Sequence, residues 1–120
     1  MADGFKILAQ ATLTNTEAAV YAVPLSSSGQ FSSRDISQAI ISSIILCCTT
    51  GASASSYSIR VKKSGEADNN KQIIFNDKVI LEDETDVLSL GIGLVSGDSI
   101  EASCSSGHVI QMSIFGTEVV

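Results

Sequence analysis

Short runs of branched, aliphatic and aromatic residues recur along the chain at intervals close to ten residues, and turn-forming residues close each one. The clearest run is "YSIRVKK". Tyr57, Ile59 and Val61 alternate strictly with Ser58, Arg60 and Lys62, which predicts a strand with one face buried and one face wet. This rhythm predicts an all-β chain of about eight short antiparallel strands in a jelly-roll-like β-sandwich.

The other segments follow in order. "FKILAQATLT" and "EAAVYAVP" read as a hairpin or as one strand leading into the next, and Pro24, the only proline, stops the second. "LSSSGQFSSRD" is a Ser/Gly loop. "QIIFNDKVIL" is a strand bent near Asn76-Asp77, and "EDET" is an acidic turn. "DVLSLGIGL" is a strand, and "VSGD" is a tight turn with Gly97 free to take positive φ. "SIEASC" and "HVIQMSIFG" read as a final hairpin across "SSG". The 120 residues form a single β-sandwich domain, with residues 1–10 as a possible extended N-terminal arm.

Residues 36–48 admit two readings. On a helix, Ile36, Ile40, Ile44 and Cys47 share one face, with Asp35 or Ser33 as cap. On a strand, Ile40, Ile44 and Leu46 form one phase while Ile41, Ile45 and Cys47 form another. The five isoleucines favour the strand, because branching at Cβ stiffens χ1 and suits a pleated surface. Apolar residues in both phases imply cover on both faces, by the core and by a partner or second layer. The candidate contact residues are therefore Ile41, Ile45, Cys47 and Cys48, joined by Cys104 and by the loop aromatic Phe31.

Charge narrows the function. Apolar residues make up 44% of the chain and charged residues 17%, below the ~25% usual for soluble domains. A polar but weakly charged surface suits life against neighbours. Net charge is −6, which disfavours nucleic acid, whose phosphates call for Lys and Arg, and disfavours an anionic membrane. No apolar run reaches the ~20 residues of a membrane span, and "MADGFKILAQ" lacks the pattern of a signal peptide. Synthesis in the cytoplasm is expected.

No constellation for catalysis emerges. His108 lies four residues after Cys104 across a turn, without an orienting carboxylate. The three cysteines and this histidine lack zinc-site spacing. The acidic run Asp77, Glu82, Asp83, Glu84 and Asp86 lacks the order of a calcium loop and reads as a solvated turn. "GIGLVSGD" precedes no helix and carries no phosphate-loop lysine. No catalytic residue, metal ligand or cofactor is expected, and the chain reads as a non-enzyme. The cysteines read as reduced packing residues, or as an inter-subunit cross-link formed after release into an oxidising medium.

The ordered set "FKILAQ", "AVYAVP", the apolar strand ending at Cys47-Cys48, "YSIRVKKSG", "LSLGIGLVSGDSIEA" and "IFGTEV" resembles small virion structural proteins of tailed bacteriophages over nearly the whole chain. The chain departs from that family's pattern at Cys47-Cys48, where Cys-Asn is common, and at Lys62-Lys63, where Arg-Pro often follows the alternating strand. The resemblance implies a β-sandwich in the virion, first of all a capsid decoration (cement) subunit bound to the major capsid protein. It also implies a symmetric homo-oligomer, with a trimer as the expectation. The alternatives are a neck or tail component (collar or fibre-associated), or a displayed carbohydrate- or receptor-binding module. The scarcity of aromatics outside the strand cores weighs against the last. "MADGFKIL" and "FGTEVV" are the expected contact arms.

Overall fold

The computed structural model describes residues 4–24, 38–50, 54–105 and 109–119. They form eight strands: β1 (Phe5–Thr12), β2 (Ala18–Ala22), β3 (Gln38–Thr50), β4 (Ala54–Lys62), β5 (Ile73–Leu81), β6 (Thr85–Val95), β7 (Ser99–Cys104) and β8 (Val109–Val119). The strand reading of the ambiguous apolar segment holds in β3, which pairs with β8 over residues 38–50 and with β6 over residues 38–47.

Two four-stranded antiparallel sheets pack together, in the orders β1-β8-β3-β6 and β2-β7-β4-β5. The pairs β1·β8, β2·β7, β3·β6 and β4·β5 are nested. The chain is thus one long ribbon doubled back at the β4–β5 connection. Rolling the ribbon brings β8 beside β3 and β7 beside β4, which completes a jelly roll. This topology corrects the β7–β8 hairpin and decides between the two readings of β1 and β2. β1 and β2 do not form a hairpin, and neither do β7 and β8, because each pair is divided between the sheets. Residues 5–10, expected in an extended arm, are instead paired along β8.

The interior is lined by alternate residues of both sheets. Ile44, Leu46, Ile110, Met112 and Ile114 of one sheet meet Tyr57, Ile59, Ile80 and Ile100 of the other, all essentially inaccessible to water. Burying each such side chain stabilises the fold by about 1.5–3 kcal/mol. β4 keeps the phase of its sequence, with Tyr57 and Ile59 buried and Ser58, Arg60 and Lys62 turned outward.

β3 does not keep one phase. Its register against both neighbours shifts between Ile41 and Ser43. Ala39 and Ile41 point inward before the bulge, and Ile44, Leu46 and Cys48 point inward after it. An extra residue in a strand moves everything beyond it to the opposite face, so neither apolar phase of the sequence survives intact. Gly116 of β8 permits the bulge, since a Cβ there would overlap the Ile40 carbonyl.

The bend expected in β5 falls at Asp77, whose φ is +50°. Its N–H donates to Ser58 Oγ at 3.0 Å. Gly97 takes φ +90° in the turn before β7. The β4–β5 connection is hydrogen-bonded throughout. A 3-10 turn (Asn70–Gln72) is capped by the Asn69 side chain, and the buried Gln72 amide donates to Ala67 O at 2.9 Å and Glu66 Oε1 at 3.2 Å.

Two clasps tie the sheets at opposite ends of β3. Tyr21 donates to Glu118 Oε2 at 2.5 Å, and Lys6 lies 2.9 Å from Glu118 Oε1. Tyr57 donates to Asp86 Oδ2 at 2.8 Å, and Lys78 lies 3.1 Å from the same oxygen.

Candidate interaction face

The outer face of the β1-β8-β3-β6 sheet is built from four transverse rows. The registers place Phe5, Thr117, Ile40 and Gly93 in the first row, and Ile7, Phe115, Ser43 and Ser89 in the second. Gln10, Ser113, Ile45 and Val87 form the third, and Thr12, Gln111, Cys47 and Thr85 the fourth. Side-chain hydrogen bonds run along the polar rows, from Gln10 to Ser113 at 3.0 Å and from Thr12 to Gln111 at 2.6 Å.

None of these residues is charged. The only charged residues in the four strands are Lys6, Asp86 and Glu118. All three occupy the inward phase, where the two clasps hold them. Of the eight large apolar side chains that are exposed among the described residues, five belong to this sheet: Phe5 at 66%, Val87 at 63%, Val95 at 54%, Ile7 at 53% and Ile40 at 49%. Phe115 adjoins Ile7 and Ile45 adjoins Val87, so apolar groups recur across the face, and clustered rather than singly scattered apolar residues are what make a face a candidate for interaction. The edge strand β6 adds nine residues from Val87 to Val95 without charge or proline, the devices that usually blunt a free edge.

The outer face of the other sheet is different. Arg60 meets Glu17 at 3.1 Å, and Lys62 meets Asp68 at 2.6 Å and Glu101 at 3.4 Å. The hydrogen bond with Asp68 raises the Lys62 ammonium above its ordinary pKa and holds the Asp68 carboxyl below its own. The carboxylate oxygens of Glu17, Asp68 and Glu101 lie within 4.8 Å of one another, and each is already paired with Arg60 or Lys62. Beside them lies a polar groove of about 290 Å³, lined by Asn15, Ser56, Ser58, Asp77, Ser103, Cys104 and Ser105.

The six candidate contact residues therefore separate. Ile45 and Cys47 lie on the uncharged outer face, half-buried among their neighbours. Ile41 and Cys48 are fully buried, and Cys104 is nearly so; these three belong to the core and not to the surface. The bulge accounts for Ile41, because it sets Ile41 and Ile45 on opposite faces. Cys48 Sγ lies 3.5 Å from Ser55 Oγ, and burial pushes the Cys104 thiol above its ordinary pKa, so it stays protonated. Phe31 and His108 lie outside the described residues.

Phe5, Ile7, Ile40, Val87 and Phe115 escaped the reading of the sequence. The signal that finds them is the complete lack of charge in the outward phase of four strands, which becomes visible only when the strands are aligned. No family model matches the chain, and no curated protein matches it.

Proposed function

We propose that the chain is a non-enzymatic structural protein of a tailed-bacteriophage particle. In this reading it is a multi-copy capsid decoration (cement) subunit on the major capsid protein, or a neck or tail component of the same build. The uncharged outer face of the β1-β8-β3-β6 sheet carries the proposal. A surface that exposes five large apolar side chains and no charge is suited to burial against protein. The jelly roll adds modest support, being common in capsid proteins, although a fold alone does not assign a role. The sequence resemblance supplies the virion context. Many weak contacts in register hold such a subunit by multivalency, without high affinity per copy.

The test is mass spectrometry of intact particles, with copy number measured against the major capsid protein. Hundreds of copies indicate a decorated shell, and a few to a dozen indicate neck or tail. Absence from the particle removes the virion reading.

The serine-lined groove on the opposite face favours a second reading, a displayed module that binds a polyhydroxylated ligand. Its lining offers hydroxyl and amide groups and one carboxylate, but no aromatic platform. Titrating soluble saccharides while following the amide signals of Ser56, Ser58 and Ser103 by NMR checks it. No shift at millimolar sugar rejects it.

A further inference from the structure

Gly91 and Gly93 lie in the outward phase of β6. Neither has positive φ, and a Cβ on either would meet nothing within 4 Å. Glycine inside a strand weakens it and, without a backbone reason, marks a place where another backbone approaches closely. Among the described residues nothing within the chain calls for these two glycines, in contrast to Gly116, which the β3 bulge demands.

We propose that this face packs against the same face of a second copy, about a two-fold axis that lies between the sheets and runs parallel to the strands. That axis reverses strand order and preserves the rows. β1 of one copy then lies over β6 of the other, and β8 lies over β3.

The first two rows, and the centre of the third, are each close to a size-inverse of themselves read backwards. Phe5 faces Gly93 and Ile40 faces Thr117 in the first row. Ile7 faces Ser89 and Phe115 faces Ser43 in the second, and Ile45 faces Ser113 in the third. Large residues meet small ones in these five pairs, while Gln10 faces Val87, Gln111 faces Cys47 and Thr12 faces Thr85, all without charge. The bare backbone at Gly93 receives the Phe5 side chain, and Gly91, between the first and second rows, leaves room for Phe5 and Ile7 to lie flat against β6.

Area and charge agree with this occupant. Four strands about 4.8 Å apart and about eleven residues long make a face of roughly 700 Å² per copy, close to the ~800 Å² per partner of a standard interface. Each copy carries a net charge of −6, so approach through most other surfaces sets acidic groups against each other. Approach through this face desolvates no charge. The inference deepens the structural-subunit reading, on which it rests for its role, but its test uses the purified protein alone.

The test is sedimentation equilibrium on the wild type, on the double variant Gly91→Thr/Gly93→Thr, and on Val87→Glu. The wild type is expected at twice the 12.5 kDa chain mass. Threonine suits a strand and has open space in the single chain, so the double variant is expected folded by circular dichroism and at least ten-fold weaker in self-association. Val87→Glu is expected to weaken it similarly. Val79→Glu, equally exposed on the other sheet, is expected to leave the dimer unchanged. In the dimer the two Cys47 Cα atoms stand roughly 11 Å apart, too far for a disulfide but within reach of a short bis-maleimide. Cross-linking at Cys47 is therefore expected without spontaneous oxidation.

A wild type that is monomeric or trimeric overturns the proposal, since a three-fold assembly cannot use a face as its own partner. So does a dimer that persists in both the double variant and Val87→Glu. An unfolded double variant would mean that the chain's own residues cover the glycines, and would overturn it too. A dimer in solution combined with absence from phage particles leaves this inference standing and removes the virion reading; the reverse result does the opposite.

Discussion

The two outer faces of the sandwich share a backbone geometry and differ in almost everything else. On the β2-β7-β4-β5 face, Arg60 and Lys62 pair with Glu17, Asp68 and Glu101, and serines line a wet groove. On the β1-β8-β3-β6 face there is no charge, and the strand charges that exist are turned inward to the clasps. Exposed charged pairs add little stability, but they keep a face hydrated and discourage association. A sheet that lacks them on four adjacent strands is not simply a less polar version of its neighbour. It gives the molecule a direction, with one outer face charged and one uncharged.

The largest expected effect divides the uncharged face from the core beneath it. Ile41→Asp buries a carboxylate without a partner and is expected to cost about 4 kcal/mol or more, enough to prevent folding. Ile45→Asp, past the bulge on the outer side, is expected to fold and to associate poorly. Thermal unfolding followed by circular dichroism separates the two, and equal loss in both variants would place Ile45 in the core as well.

Next come the clasps, which keep charge off the outer face. Tyr57→Phe removes the hydrogen bond to the Asp86 carboxylate and is expected to cost about 2 kcal/mol in urea unfolding. The clasps also have a pH signature. Burial first, and then the hydrogen bonds to Glu118 and Asp86, raise Tyr21 and Tyr57 above the ordinary tyrosine value of 10.0. The folded state therefore keeps protons that the unfolded chain releases, and the stability present below pH 10 is lost as pH rises beyond it. The acid side runs the other way. Burial pushes the Glu118 carboxyl up, but hydrogen bonds from Lys6 and Tyr21 outweigh it, and the net shift is downward from 4.5. That stability is present above pH 4.5 and is lost as pH falls through the lower folded value. Glu118→Gln is expected to flatten the acid limb of a melting-temperature profile, and Tyr21→Phe/Tyr57→Phe the alkaline limb.

A smaller effect on stability, with a clear effect on assembly, is expected from Ile40→Glu. Its side chain is half-exposed, so unfolding should shift by less than about 1 kcal/mol. Light scattering should show weaker association, recovering in part at high salt as the introduced charges are screened. The smallest effect belongs to the charged face. Lys62→Met is expected to change the melting temperature little at physiological salt, because methionine keeps the packed stem of the side chain and the shorter of its ion pairs is to Asp68, which is more than half exposed and screened. A clear loss would mean that this face is also structural.

The strands were legible because their determinants are local. Alternation in "YSIRVKK", branching in β3 and the turn residues at Gly97 all act within a few positions. The pairing was not legible, because β7 and β8 stand next to each other in sequence yet lie in different sheets, each matched to a strand far away. The placement of the candidate contact residues was half legible. Ile45 and Cys47 were placed on the outer surface and Ile41 was not, since Ser42-Ser43 gives no local sign of a bulge. Cys48 follows from the same phase change. Gly91 and Gly93 read only as strand residues until the registers showed what lies beside them.

The nested ribbon has a kinetic consequence. Among the nested pairs, β4·β5 closes the shortest loop, through a connection held by the capped 3-10 turn and the Gln72 amide. Every further pair encloses all the pairs before it, ending with β1·β8. Loop-closure entropy falls stepwise if pairing spreads outward from that turn, and must be met all at once if it starts at the outer strands. The molecule should therefore fold slowly, as a zipper with its slider at Asn69–Gln72. A substitution that loosens that turn should slow folding, whereas one in β1 should chiefly hasten unfolding.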